Sequence, residues 1–211
     1  MPANRIHLVR HGEVYNPTGV LYEQLPNFHL SETGIAMARA AAEELKSQNA
    51  PVKALFVSPL ERAQESAAPF KELFNLEIQT DQRLIEPTNV FKGKKMGVKN
   101  LALKPHLWWH FRNPARPSWG ESYKSIVQRM NDAMVSAAES VSSGDVVLVT
   151  HQLPIWITHL NLENSPLSHD PRKRRCSLSS ITTFEYVNGS FIEIGYSEPA
   201  KNLVGIDRGA V

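Results

Sequence analysis

Ile6 to Val9 forms a short apolar run that passes directly into Arg10, His11 and Gly12, which predicts a strand with polar groups crowded at its carboxyl end. In LSETGIAMARAAAEELK, from Leu30, a Ser31 N-cap precedes Ile35, Ala38, Ala42 and Leu45 on one helical face. Pro51 and VKALFV predict a second strand. Ser58 and Pro59 then serve as cap and first-turn proline for a helix repeating Ala63, Ala67, Phe70 and Phe74. Strand, helix, strand, helix at this spacing predicts an α/β fold, a three-layer α/β/α sandwich around a mainly parallel sheet.

Glu77 to Thr80 is a weaker strand, leading into DQRLIEP. From Thr88 to Trp119 the periodicity fails, and lysines mix with Trp108, Trp109, Phe111 and Trp119. Residues 88–118 therefore read as a lid or substrate-binding insertion, helical around 101–111. Glu121 to Ser140 resumes a helix with Ile126, Met130, Ala133 and Ala137 inward, ended by Gly144-Asp145. VVLVT at 146–150 reads as a buried parallel strand ending at His151. The β-rich runs 179–186 and 190–196 form a C-terminal hairpin across Asn188-Gly189. With 211 residues and no internal repeat, the chain 1–211 is expected to be a single domain.

Composition narrows the function. Hydrophobic residues make up 42% and charged residues 21%, a globular balance. The 23 basic and 21 acidic side chains leave +2, so no nucleic-acid partner is expected. The basic, aromatic stretch from Lys92 to Arg116 has the composition of a base-stacking platform but is too diluted by other residues. One cysteine, Cys176, excludes an intrachain disulfide framework and a thiolate-only metal cage. The opening MPANRIHLVRHG resembles neither export signal nor anchor, and no run reaches the roughly 18 apolar residues of a membrane span. A cytoplasmic location without a membrane partner follows. Monomer and homodimer both fit the sequence, and the basic run Arg172 to Arg175 reads as exposed.

Two strands end in histidine, and ligands of α/β sheets gather at the carboxyl ends of strands. Arg10, His11, Arg62 and His151 would line a common cup beside a helix start, an anion site with bidentate arginine donors. An imidazole held in one tautomer, its proton on a carbonyl such as that of Gly12, aims the other nitrogen at phosphorus. The leaving oxygen needs a proton. Glu86, in RLIEP after the third strand, is the best-placed carboxyl, with Glu13 and Glu121 as the substitutes. His11 and His151 lack the further close ligands of a zinc site, so no metal is expected. His7 reads as packed within the sheet, whereas His29, His106, His110, His159 and His169 show no pairing that requires chemistry.

LVRHGE at 8–13 with Asn16, SPLERAQESA at 58–67, LIE at 84–86, GES at 120–122 and VTHQ at 149–152 together resemble the histidine phosphatase superfamily, in its phosphoglycerate mutase-like branch. The resemblance spans roughly residues 5 to 196. It implies a phosphohistidine on His11, a phosphate pocket of Arg10, Arg62 and His151, Glu86 as proton donor, and Asn16 lining the pocket. It implies hydrolysis of a small phosphorylated substrate without metal or organic cofactor. Gln152 stands where the family carries a small residue, and would cap or enter the pocket as a substrate-binding group. The cofactor-dependent mutases carry an ERxYGxLxG-like segment where this chain has IEPTNVFKGK, which favours phosphatase over mutase. Phosphoglycerate mutase is the alternative enzyme. A phosphate-binding protein with negligible turnover is the third reading, disfavoured because binding alone needs neither nucleophile nor acid.

Overall fold

The parallel β-strands of the sequence reading share one sheet, and their carboxyl ends meet along one edge. The computed structural model describes residues 3–88, 92–93 and 120–203. Among them, β1 (Arg5–Arg10), β2 (Val52–Val57), β3 (Ile78–Thr80), β4 (Asp145–Thr150), β5 (Ile181–Val187) and β6 (Ser190–Ser197) form a six-stranded sheet in the order β3-β2-β4-β1-β5-β6. The first four strands run parallel, β5 runs antiparallel to β1, and β6 runs antiparallel to β5. Arg10 lies opposite Thr150, and Val57 opposite Val149, so β1, β2 and β4 end level with one another.

Side-chain alternation divides the core between the two faces of the sheet. Val9, Leu55, Val57, Val147 and Val149 face α1 (Glu32–Ser47) and α2 (Glu61–Phe74), which answer with Ala41, Ala42, Leu45, Ala63, Ala67 and Phe70. Ile6, Leu8, Val146 and Leu148 face α3 (Tyr123–Glu139) and α4 (Gln152–Leu162), through Ile126, Met130, Ile155 and Ile157 among others. These layers are the expected sandwich. Asn188 and Gly189 take φ of 51° and 80°, the left-handed pair that a two-residue hairpin requires, and join β5 to β6. His7 is buried within the sheet, where its ring bonds the Thr183 hydroxyl at 2.9 Å and the Asp145 carboxylate at 3.4 Å.

Three expectations need correction. Ile35 is 59% exposed rather than inward. The reason lies next to it: Gly34 meets the backbone of Glu13 so closely that a Cβ there would lie 2.0 Å from the Glu13 carbonyl oxygen. That approach sets the rotation of α1, which buries Met37, Ala38, Ala41, Ala42 and Leu45 and turns Ile35 outward. Ser58 and Pro59 do not open α2, which begins at Glu61 after Leu60 with no side-chain cap; Ser58 serves the site instead. The basic run is not uniformly exposed, since Arg174 is half-buried. The helix α4 lacks a polar face that would reveal it in sequence, for it is buried along most of its length. Apart from Thr88, Lys92 and Gly93, the expected insertion at 88–118 lies outside the described residues, as do its proposed helix and Trp108, Trp109 and Phe111.

Candidate active site

Arg10, His11, Arg62 and His151 converge at the level strand ends, and all four are buried to within 2% exposure. Charged groups so far from water require partners. Arg10 Nη1 donates to the Cys176 carbonyl at 2.7 Å. Arg62 Nη2 donates to the Glu23 carbonyl at 2.7 Å and lies 3.2 Å from His151 Nδ1, while its Nε donates to His11 Nε2 at 3.3 Å. The Tyr22 ring packs on the Arg62 guanidinium, 4.7 Å from ring centre to Cζ, and meets His11 edge-on.

These contacts assign the proton on each ring. The Gly12 carbonyl can only accept, so the 2.7 Å contact places a proton on His11 Nδ1 and leaves Nε2 with its lone pair facing Arg62. Burial, followed by Arg62 and Arg10, holds the His11 pKa well below the ordinary histidine value, so the ring is neutral. His151 receives the Arg62 proton at Nδ1 and therefore donates from Nε2 to the Ser58 hydroxyl at 2.7 Å. Burial and then Arg62 lower its pKa as well. The two imidazoles stand 5.1 Å apart.

Glu86 reaches the same cup, with Oε2 3.7 Å from His151 Nδ1. Two bonds position its segment: the Thr150 hydroxyl donates to the Leu84 carbonyl at 2.6 Å, and the Gln24 amide donates to the Glu86 carbonyl at 2.6 Å. Burial pushes the Glu86 pKa up to about 7, against the opposing fields of Arg62, Arg174, Arg10 and Arg129. A carboxyl that both holds and releases its proton near neutrality is suited to acid–base work.

The α2 start is tied to the β1 end by Ser66, whose hydroxyl donates to the Arg62 carbonyl at 2.7 Å and accepts the Gly12 amide at 3.0 Å. Asn16 is buried, but its amide bonds the Val20 backbone and the Thr18 hydroxyl, bracing the loop that carries Tyr22 and Glu23. Gln152 bonds the Cys176 carbonyl at 3.4 Å and Arg174 at 3.2 Å. Glu121, one of the two substitute acids of the sequence reading, forms a two-toothed pair with Arg129. Tyr22, Ser58, Ser66, Thr150 and Arg174 also border the cup or brace it, and sequence reasoning gave none of them a place there. Among the described residues no three His, Cys, Asp or Glu side chains gather as a metal-ligating group. Among them, too, no helix is long and apolar enough to cross a membrane.

Residues 6–197 match the histidine phosphatase superfamily, branch 1. The chain is 46% identical over 197 residues to an uncharacterized protein of Mycobacterium tuberculosis, covering 93% of this chain and 96% of that one. It is 34% identical over 154 residues to a 2,3-bisphosphoglycerate-dependent phosphoglycerate mutase of Thermoplasma acidophilum, covering 70% of each. A solved structure of phosphoserine phosphatase from Entamoeba histolytica shares the fold at a TM-score of 0.74 and 19% identity, covering 95% of this chain and 99% of that one.

Proposed function

The chain belongs to the histidine phosphatase superfamily, branch 1, and we propose that within it the protein hydrolyses a small phosphomonoester through a phosphohistidine on His11. One observation carries the reading: the His11 ring, neutral and locked through Nδ1 on Gly12, holds a lone pair at Nε2 within the same cup as Glu86.

The phosphoryl group enters between Arg10, Arg62 and His151. Its oxygens take over the Arg62 proton that Nε2 of His11 otherwise accepts. Nε2 then attacks phosphorus, and the bond from phosphorus to the alcohol oxygen breaks as the Glu86 carboxyl gives that oxygen a proton. In the second half, the Glu86 carboxylate takes a proton from water as its oxygen attacks phosphorus. The P–N bond breaks, its electron pair returns to Nε2, and phosphate leaves. The arginines stabilise charge on the equatorial oxygens throughout, joined by His151 once the arriving phosphate dianion favours a second proton on its ring. No metal or organic cofactor enters this scheme. The whole chain acts as one catalytic domain in this reading, with Asn16 and Gln152 among the substrate-binding groups.

A second reading, return of the phosphoryl group to an organic acceptor, draws support from the phosphoglycerate mutase relative. Both readings share every step up to the phosphoenzyme. The test is a phosphate-release screen over varied phosphomonoesters in the presence of chelator, with 2- and 3-phosphoglycerate and a bisphosphoglycerate primer included. Release of inorganic phosphate with little isomer exchange is expected; rapid isomer exchange would favour the mutase.

A further inference from the structure

Two contacts that set the Arg62 guanidinium, the Glu23 carbonyl and the Tyr22 ring, come from the loop of residues 15–30, which has no helix or strand of its own. Glu23 sits there at φ 36°, in the left-handed region that a residue with a side chain seldom adopts. Such a conformation persists only where its surroundings over-determine it. The same loop reaches the acid, since the Gln24 amide donates to the Glu86 carbonyl.

The restraint comes from α2, the helix that carries Arg62 itself. Glu61 Oε2 accepts the Asn27 amide at 2.5 Å and the Phe28 amide at 3.2 Å. One turn further on, Glu65 accepts the Leu30 amide through Oε2 at 2.7 Å and the His29 Nδ1 proton through Oε1 at 2.5 Å. Four bonds thus fasten the return limb 27–30 to α2. The limb passes the restraint to the tip, because the Phe28 ring stacks on that of Tyr22 at 5.2 Å. At the base, the Tyr15 amide donates to the His29 carbonyl at 2.9 Å, and Val14 bridges Leu30. The Glu65 side chain is 37% exposed, whereas the Arg62 that it helps to frame is buried.

We propose that Glu65, with Glu61 beside it, is a positioning residue that acts through the loop on Arg62. By holding residues 27–30 against α2 it keeps Tyr22 and the left-handed Glu23 on the guanidinium, in the pose that faces His11 Nε2. Released from Glu65, the loop is free to let Glu23 relax and draw its carbonyl away from Arg62 Nη2. The guanidinium then loses the acceptor that fixes its rotation, although its charge is unchanged. This inference rests on the phosphohistidine reading, in which Arg62 receives the phosphoryl oxygens beside the nucleophile.

The test is a double-mutant cycle in kcat/KM for nitrophenyl phosphate, whose good leaving group keeps the Gln24 arm of the loop out of the reading. Glu65→Ala should lose about tenfold or more, the scale of a hydrogen bond to a charged acceptor. Glu65→Gln, which keeps an acceptor oxygen, should recover part of that loss. In the Arg62→Lys background no fork is left to position, so the same Glu65→Ala should cost no more than about twofold. A Glu65 that only stabilises the fold would cost the same in both backgrounds. That result, or wild-type kcat/KM in Glu65→Ala, would overturn the inference alone. Where any of these proteins turns over too slowly to measure, the cycle is read on the affinity for inorganic phosphate by calorimetry, with the same two outcomes. Turnover that survives in His11→Ala would overturn the phosphohistidine reading, and this inference with it.

Discussion

Arg62 and His11 are hydrogen-bonded to each other through Nε and Nε2 at 3.3 Å, so the guanidinium donates to the ring nitrogen that carries the lone pair. The Glu23 carbonyl and the Tyr22 ring hold the guanidinium in that pose. In the proposed reaction a phosphoryl oxygen accepting the Arg62 proton frees the lone pair as it arrives, which would couple binding to activation. Lysine, a compact point charge, lacks the planar fork whose separate nitrogens reach His11 Nε2 and the Glu23 carbonyl together. Arg62→Lys should therefore lower kcat/KM for nitrophenyl phosphate by about 10²-fold or more, although the charge is retained. Near-wild-type kinetics in that variant would show that charge alone suffices.

Glu86 is expected to matter in proportion to the leaving group's need for a proton. Glu86→Gln should slow phosphoenzyme formation by roughly 10²-fold to 10⁴-fold with an alkyl phosphate. The loss should be much smaller with nitrophenyl phosphate. The acid form is required, so wild-type kcat/KM should fall as pH rises through about 7, and the glutamine variant should lose that limb. On the acid side the plateau should persist well below the ordinary histidine pKa, because the His11 value is lowered and its ring stays neutral. Equal losses for both leaving groups would remove Glu86 from the acid role.

The same carboxyl should appear in the stability of the fold. Its folded pKa, about 7, lies above the ordinary 4.5, so the folded state holds the proton more tightly than the unfolded state does. The stabilisation linked to neutral Glu86 is complete below pH 4.5 and is lost as pH rises through about 7. Relative to wild type, Glu86→Gln should thus gain stability between these limits, by about 3 kcal/mol at most. Denaturant unfolding of both proteins at pH 5 and pH 8 reads the difference. A gain that is the same at both pH values would contradict the raised pKa.

Ser58 acts on the site through His151, and Gly34 acts on it from outside. Ser58→Ala leaves the His151 Nε2 proton without its acceptor in a buried setting, and should cost about 1–3 kcal/mol of stability together with a loss in kcat. Gly34→Ala would place a Cβ 2.0 Å from a backbone oxygen at the β1–α1 junction. Backbone cannot yield as a flexible side chain does, so this variant should destabilise the fold by about 1–3 kcal/mol or more and displace His11. Thermal melts and kcat values measured on the same preparations would show whether the two effects travel together.

The strands and their catalytic ends were legible because chemistry and periodicity coincide there. Ile6 to Val9 runs into Arg10 and His11, Val146 to Thr150 runs into His151, and a parallel sheet brings two such ends together. The rest depends on distances that sequence does not encode. Ser58 looked like a helix cap because serine before proline is a frequent cap, yet its hydroxyl is taken by His151 from 93 residues away. Ile35 fitted the helical stripe, but a backbone contact at Gly34 decided the rotation. Arg174 was indistinguishable from its basic neighbours, since its inward turn follows from the 3₁₀ cap and the bonds to His169 and Gln152. The helix α4 had no polar stripe to detect.

The most direct measurement is a rapid quench of enzyme with phosphate-labelled substrate, followed by peptide mapping of the trapped label. The account predicts an acid-labile, base-stable phosphate on His11 that forms within one turnover, survives exhaustive chelation and is absent from His11→Ala. Label on another residue, or turnover by His11→Ala at the wild-type rate, would contradict it.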